Sequence, residues 1–278
     1  MTSGYRTRTA VLLMLPFGAL LLGIIVVPIV MLLSQSFGSD EGFSLAQYER
    51  LFGEPVYMRV VWRTVRISAI VMTLSLVLAY PLAYVMSRAR GWVVGLLLAA
   101  VLVPLWTSVL VRSYAWIVLL QRNGIINSTL SWLGVISEPL TLLYTEGAVI
   151  VAMTQVMLPF MVLPIYGTLR GIDTSLVAAA RSLGATSAAA FRQVTLPLSL
   201  PGITSGCVLV FVMSLGFFIT PALVGGPKSQ MISTLISEQV TRLLNFRFAG
   251  ALSAVLVVIV LVLVLLFNGA LRRAQEGR

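Results

Sequence analysis

Ala178-Ala179-Ala180-Arg181-Ser182-Leu183-Gly184, followed by Val194-Thr195-Leu196-Pro197, interrupts a chain made otherwise of long apolar runs. The stretch reads as a short, small-residue helical hairpin between two membrane-crossing segments. On either side stand the uncharged runs Gly147–Leu169 and Gln193–Pro227, and beyond them Thr9–Ser39, Ile67–Ser87, Gly91–Val111 and Phe248–Leu271. Each reaches the roughly 20 residues a helix needs to cross the hydrocarbon layer. None alternates as a barrel strand of about ten residues would. The 278-residue chain is 59% hydrophobic and only 10% charged, with a mean hydropathy of +1.01, whereas soluble domains carry about 25% charged residues. The reading is an all-α integral membrane protein with six transmembrane helices near residues 10–33, 64–87, 92–118, 146–169, 202–224 and 247–271. Residues 1–9 and 272–278 form terminal segments, and residues 171–201 the hairpin.

The net charge of +10 is distributed as a topology signal. With the N-terminus inside, the inner segments hold Arg6, Arg8, Arg88, Arg90, Arg170, Arg181, Arg192, Arg272, Arg273 and Arg278 against Asp173 and Glu276. Basic residues bias short loops to the cytoplasm, so both termini are expected there, and no nucleic-acid partner is implied. Ala10–Leu33 is longer than the apolar core of a signal peptide and no small-residue cleavage site follows it, so it reads as a retained first span. The single Cys207 rules out a disulfide within the chain, and the absence of His makes a zinc or haem site a poor expectation. No metal and no cofactor are assigned to this chain.

The outer connections carry their own local signals. Leu45–Phe52 reads as a short amphipathic helix, Ile125–Leu133 as a helix bounded by turns at Asn123-Gly124 and Glu138-Pro139, and the segment after Gly225-Gly226-Pro227 as a helix from Ser229. They suit either a platform for an external partner or plain interfacial connectors. Catalytic constellations are missing. Gly225-Gly226-Pro227-Lys228-Ser229 fails as a phosphate loop, because Pro227 replaces the required Gly and removes an N–H, and Ala222 stands where the earlier Gly belongs. A Ser-His-Asp arrangement is impossible without His, and no carboxylate pair lies inside a span.

Near the span ends, Arg63 and Arg66 read as snorkelling side chains, whereas Arg112, flanked by Trp106, Tyr114 and Trp116, suits either structural pairing or a pathway lining. Pro81, Pro104, Pro159, Pro164, Pro201 and Pro221 punctuate the spans and can kink them. The fifth span combines Gly206 and Gly216 with Met213, Phe217 and Phe218, which fits core packing or an apolar gate. The candidate pathway set is Trp106, Arg112, Met213, Phe217 and Phe218.

In the hairpin, Asp173 is placed to cap a helix over Thr174–Leu183, with Gly184 as its left-handed stop. Thr186 or Ser187 can cap a second helix through Val194, and Pro197 and Pro201 lead into the fifth span. Its alanines leave a flat surface for close approach by a soluble protein; resting on the membrane is the alternative.

Here the chain resembles a known family. Glu-Ala-Ala, three residues, Gly, nine residues and Ile-x-Leu-Pro is the signature of the permease subunits of bacterial binding-protein-dependent ABC importers. Ala179, Ala180, Gly184, Val194, Leu196 and Pro197 stand at the matching spacing, and Ala178 replaces the Glu. Val103–Ser108, Arg112-Ser113-Tyr114, Trp132–Ile136, Leu158–Val162, Pro197–Gly206 and Phe217–Pro227 extend the resemblance over nearly the whole chain, and are similar to the spermidine/putrescine-type subgroup.

The resemblance implies a type I importer permease fold with a cytoplasmic coupling hairpin. It implies a second permease subunit, of a different chain in this subgroup, and two ATP-binding subunits that hold ATP and Mg. A periplasmic or lipid-anchored substrate-binding protein would deliver the solute, with membrane lipid around the whole. Ala179, Ala180, Arg181, Leu183, Gly184, Leu196 and Pro197 would form the coupling set, and the solute would be a polyamine or a related amine. Two bottom-up observations bear on this reading. Uncharged span centres disfavour ion coupling in the alternative, a self-sufficient secondary transporter or channel. Arg112 on the pathway would instead suit an anionic or zwitterionic solute.

Overall fold

A computed structural model describes residues 7–39 and 42–276, and every structural statement below concerns these. Helix α1 (Thr7–Ser36) leads through a small antiparallel ladder, β1 (Gly38–Ser39) with β2 (Gly42–Phe43), to α2 (Ala46–Gly53) and the long α3 (Pro55–Arg88). Then follow α4 (Trp92–Trp106), α5 (Val109–Leu120), α6 (Ile125–Trp132) and α7 (Glu146–Arg170). The hairpin consists of α8 (Thr174–Ser182) and α9 (Ser187–Ala190), and a π turn (Phe191–Thr195) joins α9 to α10 (Leu196–Leu215). Helices α11 (Ile219–Val224), α12 (Ile232–Thr241) and α13 (Phe246–Glu276) complete the chain. Five of these stretches are long and apolar enough to cross a bilayer: Met14–Ser36, Pro55–Arg88, Glu146–Arg170, Ser187–Leu215 and Phe246–Leu266.

Two expected spans are drawn differently. The span expected over 92–118 is a bent pair, with α4 meeting the segment from Val109 at 98°. Pro104 lies in the last turn of α4, and both the N–H and the hydroxyl of Thr107 fold back onto its carbonyl (3.3 and 2.8 Å), closing the helix there. The span expected over 202–224 begins earlier and ends at Leu215, with a break at Gly216–Phe218 before α11. Pro221 has no N–H to offer the carbonyl of Phe217, four residues back. The Ser233 hydroxyl donates to that carbonyl instead (2.8 Å), so it is not left orphaned.

The hairpin's second helix does not stop at Val194 either. The N–H of Leu196 reaches the carbonyl of Phe191, a π spacing, and the widened turn carries the backbone past Pro197 into α10 without interruption. Helix α3 starts at Pro55, ahead of the expected 64, with proline at its first position, and its arginines find partners. Arg66 forms a bidentate pair with Glu146 (2.6 Å to each oxygen), and Arg63 donates to the carbonyl of Gln230 (3.4 Å).

The chain divides into two compact units, Met1–Tyr57 with Ile236–Val257, and Met58–Leu235 with Val258–Arg278. In the first, a 2.8 Å hydrogen bond joins Ser36 of α1 to the Tyr48 hydroxyl of α2. Arg50 lies over the ring of Phe248, 4.8 Å from its centroid, and donates to the Tyr57 hydroxyl (3.0 Å). Leu51 and Phe248 are fully buried around this contact.

The second unit is built around α7, which packs on α10, α4, α5 and α11. Met153, Met157 and Met161 recur at helical spacing on its fully buried face, among Ile67 and Val71 of α3 and Val210 of α10. Glycines set the approach of α10 to α7. A β-carbon on Gly202 would stand 2.7 Å from the carbonyl oxygen of Pro164 and 2.6 Å from Thr168 Oγ1, and one on Gly206 would stand 2.8 Å from Met161 Sδ. Gly202-Ile203-Thr204-Ser205-Gly206 thus acts as a small-xxx-small seam. Gly202→Leu should lower thermal stability by about 1–3 kcal/mol through overpacking. Gly167→Ala on α7, where nothing lies within 4 Å, should not lower it and should raise it by up to about 1 kcal/mol. Thermal unfolding of the detergent-purified chain checks both.

Candidate functional site

The hairpin stands on α3 through aromatic contacts. Phe191, in the π turn, meets Tyr84 edge-on at 5.4 Å and Tyr80 at 6.0 Å, and the Tyr80 hydroxyl bonds Ser199 of α10 (3.1 Å). Helix α8 starts at Asp173, whose carboxylate accepts from the N–H of Ser175 (2.8 Å). That bond holds the Asp173 carboxyl below the usual carboxylate range. The cap is therefore complete at neutral pH and is lost as pH falls through that lowered value.

The end of α8 is a complete Schellman motif. Gly184 adopts φ +88, its N–H bonds the carbonyl of Arg181 (3.0 Å), and the N–H of Ala185 bonds that of Ala180 (3.1 Å). Between these caps no residue of α8 is buried. Leu176, Ala179, Ala180 and Leu183 share one face by their spacing, and Leu183 is 90% exposed. An apolar stripe on a capped helix is thus left uncovered by the rest of the described chain. Arg181 is exposed beside it. Leu196 and Pro197 lie apart from this stripe, half-buried at the start of α10.

The pathway candidates gather at the two helix breaks. Trp106, 90% exposed, ends α4. Met213 and Phe217 pack against the core from the second break, and Phe218 beside them is exposed. A buried hydrogen bond between Ser113 of α5 and Thr220 of α11 (3.0 Å) draws the two breaks together. Arg112 sits next to that bond with Nε and Nη1 enclosed and no acceptor on either. Trp116, one turn further on, donates to Gln155 of α7 (3.4 Å). Sequence reasoning missed Ser113, Thr220 and Gln155. The signal was available for Gln155, the one side-chain amide in an otherwise apolar run over Gly147–Leu169.

Residues 5–275 match the family of "Binding-protein-dependent transport system inner membrane component" proteins. The chain is 35% identical over 262 residues, 91% of each protein, to the spermidine/putrescine transport system permease protein PotB of Haemophilus influenzae. To PotB of Escherichia coli it is 35% identical over 230 residues, 83% of each. Its fold is similar to a chain in the crystal structure of a bacterial alginate ABC transporter in complex with an alginate pentasaccharide-bound periplasmic protein. That match has a TM-score of 0.73 at 20% identity and covers 97% of this chain and 98% of the other. ATP hydrolysis in this family takes place on partner subunits. The chain belongs to the binding-protein-dependent inner-membrane transport components, as a multi-pass permease subunit of an ABC importer with the type I permease fold.

Proposed function

We propose that this permease carries a polyamine, or a related small amine, across the inner membrane, and that α8 is the element through which ATP hydrolysis reaches it. The observation that carries the coupling role is the exposed Leu176–Leu183 stripe, closed by the left-handed Gly184. Ala179, Ala180, Arg181, Leu183 and Gly184 form the contact surface for an ATP-binding subunit. Leu196 and Pro197 anchor the hairpin to α10 behind it. With Ala178 in place of a carboxylate, docking rests on close packing, with Arg181 as the ionic contact within α8.

On this reading residues 171–201 are the coupling hairpin within a membrane domain over 10–271. Both termini and the hairpin face the cytoplasm, following the distribution of arginines. Two ATP-binding subunits, carrying ATP and Mg, sit beneath this chain and a second, different permease, and a periplasmic or lipid-anchored binding protein delivers the solute from outside. ATP drives transport by favouring one conformation of the permease pair over the other. The rigid contact of Phe191 with Tyr80 and Tyr84 passes hairpin displacement to α3. The paired breaks bearing Trp106, Arg112, Met213, Phe217 and Phe218 are the segments that rearrange around the pathway. Family membership displaces the self-sufficient transporter or channel.

The polyamine assignment is supported by likeness to the two PotB proteins over most of their length. Arg112, with enclosed donors and no acceptor, favours a second reading in which the solute carries a carboxylate or other anion. Melting the cognate binding protein with each solute separates them. Spermidine or putrescine should raise its Tm by several degrees. A rise with an anionic solute alone would establish the second reading.

Gly184→Val should assemble in the membrane yet lose coupled uptake and substrate-stimulated ATP hydrolysis, because a β-branched residue resists positive φ. Gly184→Asn, which tolerates the left-handed region, should retain most of both. Normal coupled uptake by the Val variant, measured in vesicles of the full transporter, would remove Gly184 from the coupling role.

A further inference from the structure

Where α3 and α7 end, beside the hairpin, the chain forms a half-open basic cavity of about 460 Å³. Its walls include Arg88, Arg90, Arg170 and Arg181, together with Thr174 and Thr195. No carboxylate lines it, and among the described residues no ion pair neutralises any of the four arginines. Two are held in place by aromatic rings that leave their charge uncompensated. Arg88 lies 4.4 Å over the ring of Tyr84, and Arg170 donates to the Tyr166 hydroxyl (2.9 Å). Thr195 supplies an independent sign. It is only 4% exposed, and its hydroxyl has no hydrogen-bond partner within the protein. A threonine inside a regular helix would turn its hydroxyl onto a carbonyl of the preceding turn. Thr195 instead closes the π turn, and such turns recur at functional sites.

A second cavity, of about 400 Å³, adjoins the first and shares Ser87, Ala89, Arg90 and Arg170 with it. It runs away from the hairpin along α4, between Val94 and Gly95 on one side and Met86 and Tyr166 on the other. Trp92, 77% exposed at the start of α4, marks the interfacial level. The site is therefore basic at its hairpin end and continues along α4, whose Val93 and Leu96 are exposed. Basic pockets between transmembrane helices at the membrane boundary recognise anionic headgroups. A soluble anion or an acidic protein segment would use the basic lobe but has no use for the cleft along α4.

We propose that the two cavities together bind one anionic phospholipid, its phosphate among Arg88, Arg90, Arg170 and the Thr195 hydroxyl, and an acyl chain along Val94 and Gly95 of α4. The bound lipid bridges the ends of α3 and α7 to the first helix of the hairpin, so it stabilises the position from which the hairpin acts.

The test uses the full chain purified in neutral detergent, with native mass spectrometry for lipid retention and thermal unfolding for stability. Palmitoyl-oleoyl phosphatidylglycerol should be retained and raise Tm by several degrees, while phosphatidylcholine with the same chains should do neither. Inorganic phosphate and glycerol 3-phosphate should not reproduce the full shift, since they lack the acyl chain. The R88Q/R90Q double variant should bind phosphatidylglycerol about 30-fold more weakly, from roughly fivefold per arginine at a membrane surface. Equal retention of the two lipids by the unmodified chain overturns the proposal, a comparison that needs no variant to fold. A free phosphate that matches phosphatidylglycerol overturns it in favour of a soluble anion. A folded double variant that keeps full affinity for phosphatidylglycerol overturns it too, and if that variant also releases the ATP-binding subunit the arginines belong to protein docking.

Discussion

Much of the second unit depends on how closely α10 approaches α7. Lipid tails are as apolar as the helices themselves, so no hydrophobic force drives spans together inside a bilayer. Packing must supply the attraction, and here it does so where Gly202 and Gly206 admit the carbonyl of Pro164 and the side chains of Thr168 and Met161. With that distance set, Met153, Met157 and Met161 reach full burial against α3 and α10. Methionine suits the task, since its unbranched chain fills irregular gaps between helices that meet at imposed separations.

Hydrogen bonding constrains the other half of the design. Every backbone group at membrane depth needs a partner within the protein, and each proline removes a donor. The chain meets this requirement locally, by Thr107 folding onto Pro104 and by Ser233 serving Phe217 across a break. These two carbonyls at the breaks are thus satisfied, and the Ser113–Thr220 bond ties the breaks together. Arg112 is the exception beside them: its enclosed donors have nothing to bond. An unsatisfied guanidinium in such a place is costly, so Arg112 is the candidate here whose role the packing of the chain does not account for.

Much of the architecture was legible in the chain. Long uncharged runs mark the crossing helices, and Asp173 and Gly184 mark the ends of α8 because capping chemistry acts over a few residues. What escaped reading depends on distant partners. Nothing local announces that Arg66 has Glu146 to pair with, eighty positions along the chain, or that Ser233 will serve the carbonyl Pro221 leaves free. Prolines signalled bends without saying which would break a helix. Pro104 precedes a 98° bend, yet α10 runs unbroken past Pro197 because a π turn absorbs the misfit. The seam at Gly202 and Gly206 was visible as a spacing, but only its partner on α7 gives it meaning.

At the hairpin, packing and chemistry meet in one exposed stripe. An apolar helix face held out by two caps and braced by Phe191 against α3 has no role inside the chain itself. The account assigns it to an ATP-binding subunit. Cross-linking tests that claim most directly. In native membranes, a transporter with Cys207→Ser and Leu183→Cys should form a disulfide-length cross-link to the ATP-binding partner, carrying a cysteine series across its surface groove, in a nucleotide-dependent manner. A Trp132→Cys control at the far end of α6, 84% exposed, should not. Cross-links from position 132, with none from position 183 in any nucleotide state, would contradict the account.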